Sequence, residues 1–274
     1  MISTVSARVS RDIAPKEIRA SFEFFPPKSL EADQALWTTI RRIEPLDPAF
    51  VSVTYGAGGT TRERTLDTVT RLCRETTLKP AAHFTCVGAS KSDINSTLDA
   101  FITAGVRHIV ALRGDPQGGI GTRYEPHPDG YAQTSDLVAA IRAKGDIEVS
   151  VSAYPEKHPE SATFDSDLDK VRAKGINIPI VPGILPVENF SQTAQFAGKA
   201  GASIPAWFAR RFDGLEQDRE TRRLVAAAVA AEQVFDLLDQ GVADFHFYTM
   251  NRADLAYAIA HLLGLRPASL SRAA

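Results

Sequence analysis

Short β-branched or aromatic runs alternate with longer amphipathic stretches along almost the whole chain, and this alternation decides the fold class. Ala20–Phe25, Phe50–Tyr55, Ala81–Cys86, Arg107–Leu112, Glu148–Tyr154, Ile178–Gly183 and Asp244–Thr249 read as strands. Leu30–Ile43, Arg62–Thr76, Ser92–Ala104 and Ser135–Lys144 carry apolar residues at three- and four-residue spacing and read as helices. Helical patterns continue through Arg219–Gln240 and Asn251–Leu263. Gly105 and Gly145 each follow a helical run just before a strand, where a helix stop belongs. Repeated β-then-α order predicts a parallel sheet with helical crossovers. With no low-complexity tract or linker to divide it, the chain of 274 residues reads as one domain with a short N-terminal extension, 1–19.

A (β/α) barrel and a doubly wound sheet both satisfy that order, and the polar residues choose between them. Nearly every strand candidate ends in chemistry: Glu23, Thr54 and Tyr55, His83 and Thr85, Arg113-Gly114-Asp115, Tyr154, Pro182-Gly183, and Tyr248-Thr249. In a barrel the carboxyl ends of all strands meet at one mouth, where barrel enzymes keep their active sites. In an open sheet only those near the switch point meet. Thr and Tyr are ordinary strand formers taken singly, but their recurrence at strand ends favours the barrel.

The segment Ser21-Phe22-Glu23-Phe24-Phe25-Pro26-Pro27-Lys28 reads as a strand stopped by a double proline. Alternation puts Glu23 on the face opposite Phe22 and Phe24. A carboxylate among such neighbours loses hydration, which favours its protonated form and suits it to general acid work. The competing reading is an edge-strand acid facing water. Arg113 suits a phosphate or carboxylate, and Asp115 either holds a donor on a ligand ring or pairs with Arg113. The loop Pro116–Gly130, rich in Gly and Pro, reads as a lid or ligand-contacting loop. His83, inside an apolar strand, is by itself an ordinary core histidine.

Several chemistries are excluded. Tyr154–Glu160 contains a His and two acids, but two His or Cys residues at zinc spacing are absent, so no metal is expected. Gly56-Ala57-Gly58-Gly59 departs from the dinucleotide fingerprint, and no Gly-Lys-Ser/Thr phosphate loop occurs. No Gly-x-Ser-x-Gly elbow supports covalent acyl chemistry. Cys73 and Cys86 are too few and too far apart for a disulfide framework. A formal charge of −2 argues against nucleic acid or an anionic membrane as partner. No apolar run approaches the roughly 20 residues of a membrane helix, and Met1–Ala20 lacks a signal-peptide core. The expectation is a cytoplasmic protein.

Seven stretches resemble the bacterial type of the 5,10-methylenetetrahydrofolate reductase family: Ser21–Lys28, Phe50–Gly56, Arg107–Asp115, Ala153–Glu160, Ile180–Val187, Ile204–Trp207 and Asp244–Ala253. They run in the family's order across nearly the whole chain. The resemblance implies a (β/α)₈ TIM barrel, here with about seven recognisable units, that reduces methylenetetrahydrofolate to 5-methyltetrahydrofolate. It implies FAD as cofactor and NADH or NADPH as reductant, a folate substrate, and a homo-oligomer serving methionine synthesis. Glu23 then matches the catalytic acid that opens the folate ring, and Asp115 the aspartate between pterin and flavin. Thr54, Tyr55, Ala57, His83, Arg113, Gly114, Tyr131, Ala132, Tyr154, His158 and Asp167 match cofactor contacts. Gln192 and Arg252 match folate contacts, with the arginine suited to the glutamate tail.

One stretch departs from the pattern. After Asp167-Leu168-Asp169 the chain runs through Lys170–Gly175 straight into Ile176–Gly183. Similar proteins carry a further βα unit there, with a Thr-Gln-Phe-Phe-Phe strand and a lysine for the flavin phosphate. A unit of about 30 residues would account for the difference. Its absence bears most directly on FAD, and leaves a folate-binding barrel without redox activity, or a reductase with little or no FAD, as the alternatives.

Overall fold

The computed structural model describes residues 18–56, 61–116, 123–153, 172–173 and 175–267. Contacts divide the chain into two compact units. One holds residues 1–51, 181–188 and 211–274, the other residues 52–180 and 189–210.

In the first unit, β1 (Arg19–Phe24) pairs in parallel with a late strand, Asp244–Tyr248, which in turn pairs in parallel with the two-residue strand Gly183–Ile184. Counted in chain order, these last two are β7 and β6. Phe22 and Phe24 are completely buried, and Phe22 stacks on Phe247 at 5.7 Å. Helix α1 (Leu30–Ile43) begins where the double proline releases the chain. The Ser29 hydroxyl caps it by accepting from the Ala32 N–H at 3.2 Å, and Glu31 and Asp33 sit at the favourable end of the helix dipole. Its buried stripe is Leu36, Trp37, Ile40 and Ile43. It packs against a C-terminal helix, Ala253–Leu262, and Arg42 lies over the Tyr257 ring at 4.7 Å.

The second unit carries β2 (Val51–Val53, whose first residue still belongs to the first unit), β3 (Pro80–Thr85), β4 (His108–Leu112) and β5 (Glu148–Val151). Their order is β2-β3-β4-β5, with β3·β4 and β4·β5 parallel. The helices between them are α2 (Arg62–Glu75), α3 (Lys91–Thr103) and α4 (Thr134–Arg142). After α3 the chain turns through Gly105 at φ +100, a conformation that favours glycine and stops the helix as expected. Buried Tyr55, Phe84 and Phe101 meet edge to face, at 5.4 Å and 5.7 Å for the contacts of Phe84.

The further helices among the described residues are α5 (Phe190–Ala200), the single turn α6 (Ala206–Ala209) and α7 (Arg219–Leu238); the C-terminal helix is α8. Among the described residues seven strands, interspersed with helices, form the TIM-barrel-like α/β fold that the sequence predicts.

The strand expected over Ile178–Gly183 is the one that moves. It forms at Gly183–Ile184 instead, and Ile176, Ile178 and Ile180 are exposed. Pro179 and Pro182 explain this, because neither can donate to a ladder. Pro182 takes part only as an acceptor, from the His246 N–H at 2.9 Å. Helix α5 was not among the expected elements. Truncating Phe22 to Ala should cost about 3–5 kcal/mol, as a fully buried aromatic removed from a close-packed strand face. Equilibrium denaturation of the variant measures it, and a loss under 1 kcal/mol (roughly the cost of an ordinary surface change) would contradict the packing.

Candidate functional site

Pairing of β1 with β7 sets Ser21 opposite His246 and Glu23 opposite Tyr248. These four side chains share the face turned away from the phenylalanines, as a two-residue period requires. The Ser21 hydroxyl and His246 Nδ1 share a hydrogen bond of 2.7 Å. His246 Nε2 stands 3.7 Å from Glu23 Oε2, close enough for charge interaction or one bridging water. His246 also stacks on Phe50 at 5.4 Å, which fixes its ring plane. Glu23 itself is only 7% exposed. Burial, and then the charge of Glu23, raises the Tyr248 phenol above its ordinary range. A Cβ on Gly183 would fall 2.5 Å from the Tyr248 hydroxyl, so only glycine lets the phenol lie over β6.

The turn after β7 holds the end of β1. Thr249 donates its hydroxyl to the Glu23 carbonyl at 2.6 Å. The Asn251 side chain accepts from the Phe25 N–H at 2.8 Å and donates to the Phe25 carbonyl at 2.9 Å. Met250 and Asn251 are left-handed, at φ 51 and 57, which asparagine tolerates and methionine rarely adopts. Arg252 follows, exposed, and pairs with Glu188.

In the second unit β4 runs into Arg113-Gly114-Asp115 with Gly114 at φ +91. The Cys86 thiol donates to the Arg113 carbonyl at 3.5 Å, and the Arg113 guanidinium lies 4.3 Å from the Tyr124 ring centre. That cation–π contact fixes the plane of the arginine. The Thr65 hydroxyl donates to the Thr54 carbonyl at 2.8 Å, tying the end of β2 to α2. Tyr131 donates to Asn95 at 3.4 Å, and Lys91 lies over its ring at 5.6 Å. A cavity of about 150 Å³ opens beside Tyr55, Arg62, Thr85 and Asp93, and the Thr85 hydroxyl is sealed from solvent with no hydrogen-bond partner among the described residues. Burial pushes the Tyr55 phenol up to about 12, against the pull of Arg62.

Of the residues expected at the site, Glu23 and Arg252 fall in the first unit. Thr54, Tyr55, His83, Arg113, Gly114, Asp115, Tyr131, Ala132 and Gln192 fall in the second. Gln192 is exposed in the first turn of α5, its backbone N–H capped by Asn189 at 3.1 Å. Ala57, Tyr154, His158 and Asp167 lie outside the described residues, as does most of the stretch where a βα unit is expected to be missing. Sequence reasoning missed His246, Ser21 and Tyr124. The first two were legible, since each lies two residues from a named residue on its own strand. Among the described residues no three His, Cys, Asp or Glu side chains gather as a metal ion would require, and no helix is long and apolar enough to cross a membrane.

Polar groups carried at the carboxyl ends of parallel strands are the arrangement of a TIM-barrel-type enzyme. The family model for methylenetetrahydrofolate reductase matches residues 8–174 and 164–264. The chain is 42% identical over 280 aligned positions to 5,10-methylenetetrahydrofolate reductase of Escherichia coli (strain K12), covering 92% of each sequence. It is equally similar, at 42%, to the enzyme of that name from Pectobacterium carotovorum, covering 91% of each. Methylenetetrahydrofolate reductase (NADH) 1 of Arabidopsis thaliana is 30% identical over 89% of this chain and 48% of its own length. The chain belongs to the methylenetetrahydrofolate reductase family.

Because Tyr55 stays neutral to about pH 12, while an exposed tyrosine ionises near pH ~10, its folded value is raised. Its contribution to stability is therefore complete below pH ~10 and lost as the pH climbs through 12. In an alkaline titration followed by tyrosinate absorbance, Tyr55→Phe should delay the onset of unfolding. An unchanged onset would remove Tyr55 from that transition.

Proposed function

We propose that this protein reduces 5,10-methylenetetrahydrofolate to 5-methyltetrahydrofolate as a single (β/α)-barrel enzyme, with NADH or NADPH as reductant. The observation that carries the reading is the agreement of the family across nearly the whole chain with a buried acid, Glu23, beside an imidazole and a phenol. Glu23 is the general acid: it protonates the folate so that the five-membered ring opens to an iminium, whose methylene carbon is then electrophilic. His246, held by Ser21, stabilises the carboxylate that remains and offers a route for its reprotonation. Asp115 lies against the pterin. Gln192 binds the folate, and Arg252 takes a carboxylate of the glutamate tail.

FAD, when bound, supplies hydride transfer from the nicotinamide to the methylene carbon. The residues of the second unit fit it. Arg113, oriented by Tyr124 and by its own tethered backbone, suits a phosphate of the dinucleotide. Tyr55, Thr54, His83, Gly114, Tyr131 and Ala132 would supply apolar and hydrogen-bonding contacts to it, with Asp115 and, by the family resemblance, Ala57, Tyr154, His158 and Asp167.

Two measurements test the reading. The purified protein should show flavin absorption bands near one per chain, and a colourless protein that still oxidises NADH with the folate would replace FAD by direct transfer. Glu23→Gln should abolish folate reduction while leaving flavin reduction by NADH largely intact. Comparable loss of both half-reactions would take the acid role from Glu23.

A further inference from the structure

Arg252 does not meet a ligand as a loose surface cation. It is the N-cap residue of α8, and its Nη1 donates to Glu188 Oε2, just beyond β6. The second oxygen of Glu188, Oε1, is sealed from solvent without a hydrogen-bond partner among the described residues, 3.7 Å from Arg223 Nε on α7. Arg223 pairs through Nη2 with Asp254 in the first turn of α8. Charges thus alternate from Asp254 through Arg223 and Glu188 to Arg252. The inner member of the last pair is the acid: its side chain is 16% exposed against 47% for the arginine.

That difference gives the pair a direction. A carboxylate so far removed from water is fixed by the two cations around it, and it in turn fixes the exposed one. Arg252 uses one nitrogen for Glu188, and its Nε and Nη2 make no other hydrogen bond among the described residues. A guanidinium presents its donors in a rigid fork, so anchoring one nitrogen orients the others. A ligand carboxylate meeting the free edge does not have to order a flexible side chain first.

We propose that Glu188 is a positioning residue that holds Arg252 for the glutamate tail, and so sets the preference for folates that carry the tail over pteroates that lack it. This rests on the tail-binding role given to Arg252 above. The test is equilibrium binding by calorimetry on the holoenzyme, with 5-methyltetrahydrofolate and with 5-methyltetrahydropteroate, which has no glutamate. Glu188→Ala should weaken the tail-bearing ligand about five-fold, the scale of ordering one long side chain, and leave the tail-less ligand unchanged. Glu188→Gln, which keeps an acceptor oxygen, should recover most of the loss. In an Arg252→Ala background, Glu188→Ala should have no further effect. Unchanged or tighter binding of the folate by Glu188→Ala overturns the proposal, and so does equal weakening of both ligands. If Arg252→Ala itself spares the tail-bearing ligand, the tail assignment falls and the proposal with it. The reductase reading, scored separately by wild-type turnover, would stand.

Discussion

The pairing of β1 with β7 is the constraint on which the first unit depends. One register, Ser21 to His246 and Glu23 to Tyr248, sorts two consecutive side-chain sets onto opposite faces. Phenylalanines from both strands fill the buried face, while the acid, imidazole, hydroxyl and phenol gather on the other. A slip of one residue would exchange the two sets and bury Glu23 and His246 among helices. The stacked Phe22 and Phe247 therefore do more than contribute apolar burial: they make the polar arrangement the only low-energy one.

Two acids in the same unit have different neighbours. Glu23 is 7% exposed and has the His246 imidazole at 3.7 Å. Glu188 lies between two arginines. An imidazole changes its charge near neutral pH, whereas a guanidinium keeps its charge at any ordinary pH, so Glu188 faces permanent counter-charges.

Much of this was legible in the sequence. The helix Leu30–Ile43 is found where its apolar period placed it, and Glu23 lies on the face that alternation assigned to it. What stayed hidden was mostly tertiary. The β-branched run Ile178–Val181 looked like a strand because its side chains suit one, but two prolines left its backbone without a ladder. Helix α5 carries only two large apolar side chains, Phe190 and Phe196, and none of its described side chains is wholly buried. Tyr124 sits in a loop with no periodicity, and nothing local shows that its ring lies against Arg113. Glu188, Arg223 and Asp254 are scattered over a loop and two helices, so their alternation of charge exists only after folding.

The Thr249 hydroxyl that clasps the Glu23 carbonyl comes from 226 residues further along the chain. Loop closure over such a span is slow to be rewarded, because chain entropy must be overcome before the distant pairing stabilises it. The carboxyl end of β1 is thereby fixed only once β7 and its turn have docked. The backbone that carries Glu23 is in this sense a late feature of folding rather than a local one.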